Sequence, residues 1–500
     1  MGLKRIWHRL SGGVGGFHGG VDVPQNKRTA DRPIEQLPLS PVLIVPVKQH
    51  IGEACAPLVK VGDYVRRGQK IAQAEGYLAA PVHAPAAGKV VKIEEHRIIH
   101  PSGLGLPCIF IEPDGSDAAE TLTPWPDWAE RDPGELRERV RMCGIVGLGG
   151  AVFPTFIKLV RDQHHPIETI ILNGVECEPY LTTDHRLMVE QADEIVAGLA
   201  VLRYMVGARE AVVAIEDNKP DAIEAVRAAL ARAKLTHARV VGLPTRYPQG
   251  SEKQLIETIT GRQVPAGRLP MHVGVLCQNV ATARAVYRAV CHGEPLTERV
   301  ITVSGDAVPN PGNVRVPFGT PVRFLLAERG LTDIDEVCVI HGGPMMGEYL
   351  RSVDVPVAKA SNGLLAFHSE RVFSLRQQEQ PCIRCGHCGE VCPVNLVPNL
   401  LADHCRNDAF ERAEQYQLFD CIECGCCSYV CPASIPLVHY FRYGKGQLAK
   451  IRRAEQFAEE SRMRSEARER RLEREKQKKA ARRQRAKQLA RKTDDAGGAD

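Results

Sequence analysis

The sequence contains no long apolar segment. No stretch of its 500 residues approaches the roughly 20 consecutive apolar residues of a transmembrane helix, which argues against a membrane span. The first residues, from Met1 to Trp7, lead into glycines rather than into the apolar run of a signal peptide. We therefore expect a soluble or peripheral protein.

The 17 cysteines lack the spacing of a disulfide framework. Eight of them fall in two short repeats between residues 382 and 431, and the other nine are scattered. A cysteine-rich chain without such a framework is typical of a reducing compartment, because thiols there stay reduced. We expect the cytoplasmic side of a membrane.

The tail, residues 450–492, contains neither glycine nor proline. It contains 18 Lys or Arg and only seven Glu, so it is strongly basic. Because the net charge of the whole chain is only +5, the rest of the chain is mildly acidic. This composition predicts an exposed helix or a helix–coil mixture, with too few apolar residues for a coiled coil. Contact with anionic lipid or with an acidic partner subunit is the sharper hypothesis. Nucleic-acid binding is not favoured, because no interleaved aromatic residues support it.

Two copies of the pattern C-x2-C-x2-C-x3-C-P stand close together in the chain. This spacing is typical of the loops by which bacterial ferredoxins hold [4Fe–4S] clusters, which accept and donate single electrons. A pair of zinc sites is the alternative, but structural zinc usually takes two short ligand pairs. The repeats are Cys382, Cys385, Cys388, Cys392 and Pro393, then Cys421, Cys424, Cys427, Cys431 and Pro432.

The fourth cysteine of each repeat is expected to bind the cluster of the other repeat, as in two-cluster ferredoxins. The first predicted ligand set is Cys382, Cys385, Cys388 and Cys431. The second is Cys421, Cys424, Cys427 and Cys392. We interpret Cys405 and Cys426 as packing thiols and His387 as a solvated loop residue.

A glycine-rich loop, Gly147–Thr155, is the second chemical motif. Gly147, Gly149 and Gly150 would let backbone amides approach a phosphate or a flat ring, and Lys158 follows one helical turn later. The loop matches neither the Rossmann nor the Walker pattern. About 25 residues on, at the end of a predicted strand, Asn173, Glu176 and Glu178 could hold ribityl or ribose hydroxyls, although solvated loop acids are an alternative.

Strands and helices alternate through the middle of the chain. This order predicts an open parallel sheet, which binds ligands at the carboxyl ends of its strands. The predicted elements are a helix over Glu135–Met142, a strand over Ile167–Leu172, a helix over His185–Met205 ended by Gly207, a strand over Ala211–Ile215, a helix over Asp221–Lys234 and a strand over Arg239–Val241.

Two β-rich segments flank this region. From Pro41 to about Glu94 the pattern predicts short strands with turns, and the segments Val61–Ile71 and Ala80–Val90 resemble the lipoyl/biotinyl barrel-sandwich hybrid. Because Glu75–Leu78 fill the hairpin where carrier domains have a lysine, we expect a structural or docking role. After Arg299, short apolar runs predict strands around one helix, with Thr320 as its cap, Pro321 at its first position and Gly330 at its end.

The Phe153-Pro154-Thr155 loop, the Asn173–Pro179 loop and the paired cysteine motifs resemble the flavin- and NADH-binding (51-kDa type) subunit of respiratory complex I. The order of segments over nearly the whole chain resembles the C-subunit family of Rnf electron-transport complexes (RnfC, also called RsxC). Supporting segments begin at Ile215, Tyr247 and Cys277. The related sodium-pumping quinone reductase subunit lacks the clusters, so the cysteine motifs favour Rnf. Ser251 stands where that family often has a smaller residue.

This resemblance implies a multidomain α/β fold. The expected parts are an N-terminal extension (1–40), a barrel-sandwich hybrid without a carrier lysine (41–115), a Rossmann-like FMN- and NADH-binding domain (116–298), a β-grasp, SLBB-like module (299–373), an α-helical ferredoxin domain with two [4Fe–4S] clusters (374–445), and a basic helical or disordered tail (446–500).

The resemblance also implies a function. FMN would be bound non-covalently by the glycine loop together with Asn173, Glu176, Glu178, Asn279 and Thr282, with NAD(H) as substrate near Phe153 and Lys158. The chain would be a peripheral oxidoreductase and translocase subunit of the ferredoxin:NAD+ type, on the cytoplasmic face of the bacterial inner membrane. Its partners would be the other Rnf subunits and, indirectly, ferredoxin, with Na+ or H+ transported.

Two alternatives remain open from the sequence. One is a soluble NAD(P)H-linked iron–sulfur flavoprotein module, and the other is a scaffold whose clusters only relay electrons. Cluster potentials span roughly −700 to +450 mV with their surroundings, so the motifs do not fix the direction of electron flow. No individual catalytic residue is predicted.

Overall fold

The computed structural model describes residues 15–73, 76–100, 103, 105–374 and 378–496. Glu75 of the predicted hairpin and both ends of the chain lie outside the described residues. The chain divides into two units. The first extends to Pro398 and resumes over Ile422–Pro436, and the second comprises Asn399–Cys421 and the residues from Leu437 onward.

A four-stranded parallel sheet forms the centre of the first unit. Its strand order is β11-β10-β9-β12, so the chain moves outward from β9 on one side and returns on the other side with β12. Ile170, Ile171 and Leu172 of β9 are fully buried, as a strand covered on both faces requires. The strands are β9 (Thr169–Gly174), β10 (Glu210–Glu216), β11 (Ala238–Leu243) and β12 (Val275–Asn279).

Helices connect and precede these strands. They are α1 (Pro133–Met142), α2 (Thr155–Lys158), α3 (Thr183–Glu190), α4 (Ala192–Val206), α5 (Pro220–Arg232), α6 (Glu252–Thr260) and α7 (Val280–Tyr287). The predicted single helix over His185–Met205 is wrong, because Gln191 leaves helical geometry (φ −134°, ψ 32°) and separates α3 from α4. Gly207 ends α4 in the left-handed conformation, as predicted.

The strands from β2 (Leu43–Pro46) to β8 (Gly105–Pro113) form a barrel-sandwich of two sheets. One sheet has the order β2-β8-β7-β4 and the other β3-β5-β6, and Leu43, Ile71 and Ile109 are fully buried in its core. The strands are β1 (Ile34–Gln36, outside this domain), β2 (Leu43–Pro46), β3 (Ala56–Pro57), β4 (Tyr64–Val65), β5 (Lys70–Gln73), β6 (Val82–His83), β7 (Gly88–Arg97) and β8 (Gly105–Pro113).

A six-stranded sheet of order β1-β14-β13-β17-β15-β16 builds the β-grasp module. Strand β1 belongs to the N-terminal extension and pairs in parallel with β14, so part of the extension joins the β-grasp sheet. Helix α8 (Val322–Glu328) is capped by Pro321 rather than Thr320, because Pro321 is still extended. The other elements are β13 (Glu298–Ser304), β14 (Gly312–Pro317), β15 (Val337–His341), β16 (Glu348–Tyr349), β17 (Gly363–His368) and α9 (Ser369–Ser374).

The cysteine motifs carry two short helices, α10 (His387–Glu390) and α13 (Cys426–Tyr429). The second unit is helical, with α11 (Pro398–Arg406), α12 (Phe410–Gln415) and the 60-residue α14 (Leu437–Ala496). The described part of the chain has no helix with the length and apolarity to cross a membrane. The predicted fold class, multidomain α/β with these modules, is confirmed.

Candidate functional site

The site lies where the parallel sheet reverses its order. Open α/β sheets bind ligands in the crevice between the carboxyl ends of two strands whose connections leave in opposite directions, here β9 and β12. Asn279 ends β12, Asn173 is the last residue but one of β9, and the two pair in register. Asn279 caps α7, because its Oδ1 accepts the Ala281 amide at 2.9 Å, and Asn173 Nδ2 donates to the Gly250 carbonyl at 2.8 Å.

The glycine loop covers the end of β12. The Leu148 amide donates to Oγ1 of the fully buried Thr282 at 2.9 Å. A Cβ on Gly149 would lie 3.5 Å from Cβ of Asn279, so the loop backbone passes directly over that side chain. Gly150 has φ +110°, and a Cβ on it would meet no heavy atom within 4 Å, so its backbone faces open space. This exposed backbone is what a phosphate or a flat ring requires.

Lys158 ends α2 and forms an ion pair with Glu252. Its Nζ lies 2.7 Å from Oε1 of Glu252, and both side chains are about one third exposed. Glu252 begins α6 and was not singled out from the sequence. Phe153 is half-buried next to the loop, and the hydroxyl of Thr155, only 1% exposed, has no hydrogen-bond partner within the described structure.

The two loop carboxylates bind protein groups. Glu176 accepts the Thr183 hydroxyl at 3.0 Å and the amides of Asp184 and His185 at 2.8 and 3.1 Å, so it caps α3. Glu178 accepts the amides of Met345 and Met346 at 3.1 and 2.9 Å, which ties the β-grasp module to this loop. Both acids therefore hold the shape of the crevice, and their predicted contacts with flavin hydroxyls stay a prediction.

Lys27 of the N-terminal extension fixes the same loop. Its Nζ donates to the carbonyls of Glu176, Glu178 and Leu181 at 2.7–2.8 Å. Burial, with the Lys219 charge, lowers the pKa of Lys27 to about 8. None of these contacts has a sequence signal, because 149 or more residues separate the partners.

Asp184 is an acid at this site that the sequence did not reveal. Its Oδ2 accepts Nδ2 of Asn279 at 2.6 Å. Burial, followed by the Glu176 charge, raises the pKa of Asp184 to about 7, which the Asn279 hydrogen bond and the Arg299 charge only partly offset. The site therefore contains a carboxyl group that changes protonation near neutral pH.

These residues fit a bound flavin mononucleotide. The crevice offers an exposed glycine backbone and two asparagine side chains at adjacent strand ends. Thr155, at the end of the glycine loop, has a buried hydroxyl without a partner in the described structure. Lys158, although paired, supplies a cation at its edge. Of the ten predicted flavin and NADH residues, the structure brings together Gly147, Gly149, Gly150, Asn173, Asn279 and Thr282, with Phe153 and Lys158 flanking them and Glu176 and Glu178 turned toward the protein.

The two cysteine motifs have the same local backbone. Arg384 and Glu423 have φ near +58°, Gly386 and Gly425 φ near +84°, and each glycine precedes a four-residue helix. All 17 cysteines lie in the described residues, and none of them forms a disulfide. Eight thiols on two matching loops are a suitable donor set for two cubanes.

The cluster ligand sets nevertheless stay a prediction. In the described part of the chain, no three cysteine, histidine or carboxylate side chains are gathered as a metal site. Within the first unit, however, the pKa of Cys392 is raised by burial and further by the Cys424 charge, which places these two thiols near each other. This proximity is what the crossed ligand assignment requires. Cys405 and Cys426 are fully buried, as packing thiols would be.

Three family models match this chain. The barrel-sandwich hybrid domain of RnfC matches residues 15–116, the Nuo51 FMN-binding domain matches residues 140–288, and the SLBB domain matches residues 300–348. The matched FMN-binding region contains the whole glycine loop, both strand-end asparagines and Thr282. The three matches agree with the barrel-sandwich, flavin and β-grasp domains expected from the sequence.

Two solved structures of an NAD+-reducing [NiFe]-hydrogenase are similar to part of this chain. The H2-reduced form is 20% identical with a TM-score of 0.46, and 65% of each chain is covered. The air-oxidised form is 19% identical with a TM-score of 0.45, covering 62% of this chain and 60% of that one. The chain thus spans about 65% of the length of the first of these structures.

Proposed function

Because this chain carries the domains of the RnfC/RsxC family and belongs to it, we propose that it is the NADH-linked, FMN- and iron–sulfur-containing subunit of an electron-transport complex. In this proposal the chain is peripheral to the bacterial inner membrane, on its cytoplasmic face. It passes electrons between NAD(H), FMN and two [4Fe–4S] clusters, as part of a ferredoxin:NAD+ oxidoreductase coupled to Na+ or H+ transport.

The proposal is supported by finding the candidate flavin crevice and most of both cysteine motifs in the same structural unit. The flavin crevice at Asn173 and Asn279 and most of both cysteine motifs belong to the first unit. NADH gives up two electrons as a hydride, whereas a cubane accepts one at a time. A bound flavin supplies the conversion between the two, which explains why both kinds of site share a chain.

The residues of the crevice have distinct tasks in this proposal. The backbone at Gly149 and Gly150 and the hydroxyl of Thr155 bind the cofactor, and Asn173 and Asn279 orient its polar edge. Three side chains keep the crevice in shape: Glu176 binds the start of α3, Glu178 binds the β-grasp module, and Lys27 binds the backbone of the loop that carries both acids. Asp184 holds a proton beside Asn279 near neutral pH.

NAD(H) is proposed to bind over the same crevice, near Phe153 and Lys158. Phe153 offers an aromatic face for a nicotinamide or an adenine, and Lys158 offers a charge for a pyrophosphate. The ion pair of Lys158 with Glu252 holds the ammonium group in place while leaving it about one third exposed.

The basic tail provides the proposed contact with the membrane or a membrane partner. Helix α14 is exposed along residues 449–487, and from Lys476 to Lys492 it contains only basic charges. Anionic lipid head groups attract such a segment by about 1 kcal/mol per basic residue close to the surface.

The proposal is tested by affinity purification of the tagged chain from detergent-solubilised membranes, with flavin and iron analysis. We expect membrane subunits to co-purify with a chain that contains FMN and two four-iron clusters. Full recovery in the soluble fraction without partners would instead support the soluble flavoprotein alternative. Filled clusters without FMN would support the relay scaffold.

A further inference from the structure

One buried tyrosine of the flavin domain reaches the second cysteine motif. Tyr247 is 1% exposed, and its hydroxyl donates to the Cys424 carbonyl at 2.7 Å. The same hydroxyl lies 3.4 Å from Oε1 of Glu178. The phenol therefore joins the acidic loop of the flavin crevice to a predicted cluster ligand.

The neighbours of Tyr247 hold this contact in place. Its backbone pairs with Val21 of the N-terminal extension, with N···O distances of 2.8 and 3.0 Å. Glu178 binds the Met345 amide, and Met345 in turn packs on the motif, because a Cβ on Gly425 would lie 2.8 Å from the Met345 carbonyl oxygen. The loop of the second motif is thus clamped between the flavin domain and the β-grasp module.

The two predicted ligand sets differ in burial. In the second set, Cys392, Cys424 and Cys427 are only 7–8% exposed, and Cys421 is half-buried. In the first set, Cys382 and Cys385 are exposed, and Cys388 and Cys431 are half-buried. Cys424 also shares an apolar cluster with Val175 and Cys277 of the flavin sheet, whereas Ile383, beside the exposed thiols, is 67% exposed.

We propose that Tyr247 is a positioning residue that fixes the second cysteine motif against the flavin domain. The cluster held by the buried ligand set is then the inner one, which exchanges electrons with the flavin. The cluster held by the exposed set is the outer one, which faces the electron acceptor. The inference rests on the proposed function for the presence of FMN and two clusters.

Electron transfer in this scheme moves one electron per step. With the cofactors bound, the flavin would supply one electron per step, and the inner cluster, which Cys392, Cys421, Cys424 and Cys427 would hold, would accept it. The outer cluster, which Cys382, Cys385, Cys388 and Cys431 would hold, would pass the electron on to a one-electron iron–sulfur acceptor of the ferredoxin type. Two such steps and the release of one proton to water balance the hydride taken from NADH.

The test compares Tyr247→Phe with Tyr204→Phe in the full-length, cluster-loaded protein. Tyr204 is a matched control, because its hydroxyl also donates to a backbone carbonyl, that of Arg131 at 2.8 Å, away from the motifs. Cys424→Ala and Cys385→Ala identify the EPR signals of the two clusters. Cys427→Ala replaces Cys424→Ala if the latter does not fold.

We expect rapid-freeze EPR after NADH addition to show the signal removed by Cys424→Ala before the signal removed by Cys385→Ala. In Tyr247→Phe the first signal should appear several-fold more slowly and its midpoint potential should shift, while Tyr204→Phe behaves as wild type. The opposite order of signals, or an unchanged inner-cluster potential in Tyr247→Phe, overturns the inference.

Titration with dithionite separates this inference from the proposed function. If NADH reduces neither flavin nor clusters, the proposed function fails. A dithionite titration in which Tyr247→Phe shifts only the signal that Cys424→Ala removes still supports the positioning role of Tyr247. A titration without that shift refutes it.

Discussion

Glu176 and Glu178 stand two residues apart and serve different neighbours. Glu176 caps α3 and Glu178 binds amides of the β-grasp module, so each acid joins the crevice to another part of the first unit. These contacts fix the shape of the loop, because both carboxylates already accept hydrogen bonds from protein groups. The cofactor would then meet the backbone, the asparagines and Thr155 rather than free acids.

We predict that Glu176→Gln lowers the free energy of unfolding by about 1–2 kcal/mol, because the amide end cannot accept all three hydrogen bonds at the start of α3. Urea denaturation measures the change. Glu224→Gln, on the solvent side of α5, is the control and should stay within about 0.5 kcal/mol of wild type. Equal losses in both variants would refute the capping role.

We predict that Asp184→Asn removes a pH dependence of stability. The folded pKa of Asp184, about 7, lies above its unfolded value near 3.9, so its contribution is full below the unfolded value and is lost as the pH rises through 7. Because the side chain of the variant is always neutral, its free energy of unfolding should rise relative to that of wild type by up to about 1.4 kcal/mol per pH unit between roughly pH 5 and 7. Urea midpoints across this range measure it.

Asp193→Asn is the control for this pH dependence. Asp193 is 70% exposed and pairs with Arg232 on the surface, so its replacement should give a curve parallel to that of wild type. A parallel curve for Asp184→Asn as well would contradict the raised pKa of Asp184.

Residues that belong to short sequence motifs were identified from the sequence, whereas residues whose roles depend on tertiary contacts were not. The cysteines, the glycines and Asn173 belong to short motifs. Asp184, Glu252 and Tyr247 take their roles from distant partners, namely Asn279, Lys158 and Cys424, which lie 95, 94 and 177 residues away in the chain. Only the family resemblance suggested Asn279 and Thr282, because no local pattern marks them.

At the scale of the element, the glycine loop contains two residues with positive φ, Gly150 and Val152, the latter at +45°. Gly150 has φ +110°, which other residues rarely adopt, whereas Gly147 and Gly149 have no positive φ. A side chain on Gly150 would clash with nothing, so its cost is conformational, of the order of 1–3 kcal/mol.

We predict that Gly150→Ala weakens FMN binding about tenfold or more, because the loop must strain or move to present its amides. Flavin fluorescence titration of the apoprotein measures the affinity. Gly62→Ala is the control, because Gly62 has φ +97°, open surroundings and a place in the barrel-sandwich. It carries the same backbone strain and should bind FMN as wild type does. Unchanged affinity in Gly150→Ala would place the flavin elsewhere.

Strands with buried β-branched residues were predictable, and element ends were less so. The three predicted strands of the parallel sheet are present, but β12 was missed because Val275–Asn279 is short and mixes cysteine with polar residues. The break between α3 and α4 at Gln191 was not predicted, because no glycine or proline marks it in the sequence. Strand β1 forms because β14 offers a free edge, which its own three residues cannot reveal.

At the scale of the molecule, the chain joins a flavin fold, two cysteine motifs and a basic helix. The tail beyond Ala454 is exposed at every residue whose side chain is described, so it adds little to the stability of the rest. Its polar, charged surface is stabilised only weakly, by pairs such as Arg462–Glu459 and Arg470–Glu466.

We predict that a chain ending at Ala454 keeps its thermal stability, flavin and iron, and loses binding to anionic vesicles. Co-sedimentation with phosphatidylglycerol vesicles measures the binding, and phosphatidylcholine vesicles are the control, since they lack net charge. Binding of the full-length protein should weaken with salt. Loss of flavin or iron on truncation would show that the tail supports the fold instead.

The central claim is that one chain carries electrons from NADH through FMN to two clusters. The most direct measurement is anaerobic addition of NADH to the loaded protein, with flavin absorbance and cluster EPR followed together. We expect bleaching of the flavin and reduction of both clusters. Clusters that dithionite reduces but NADH leaves oxidised, in a protein that contains FMN, would contradict it.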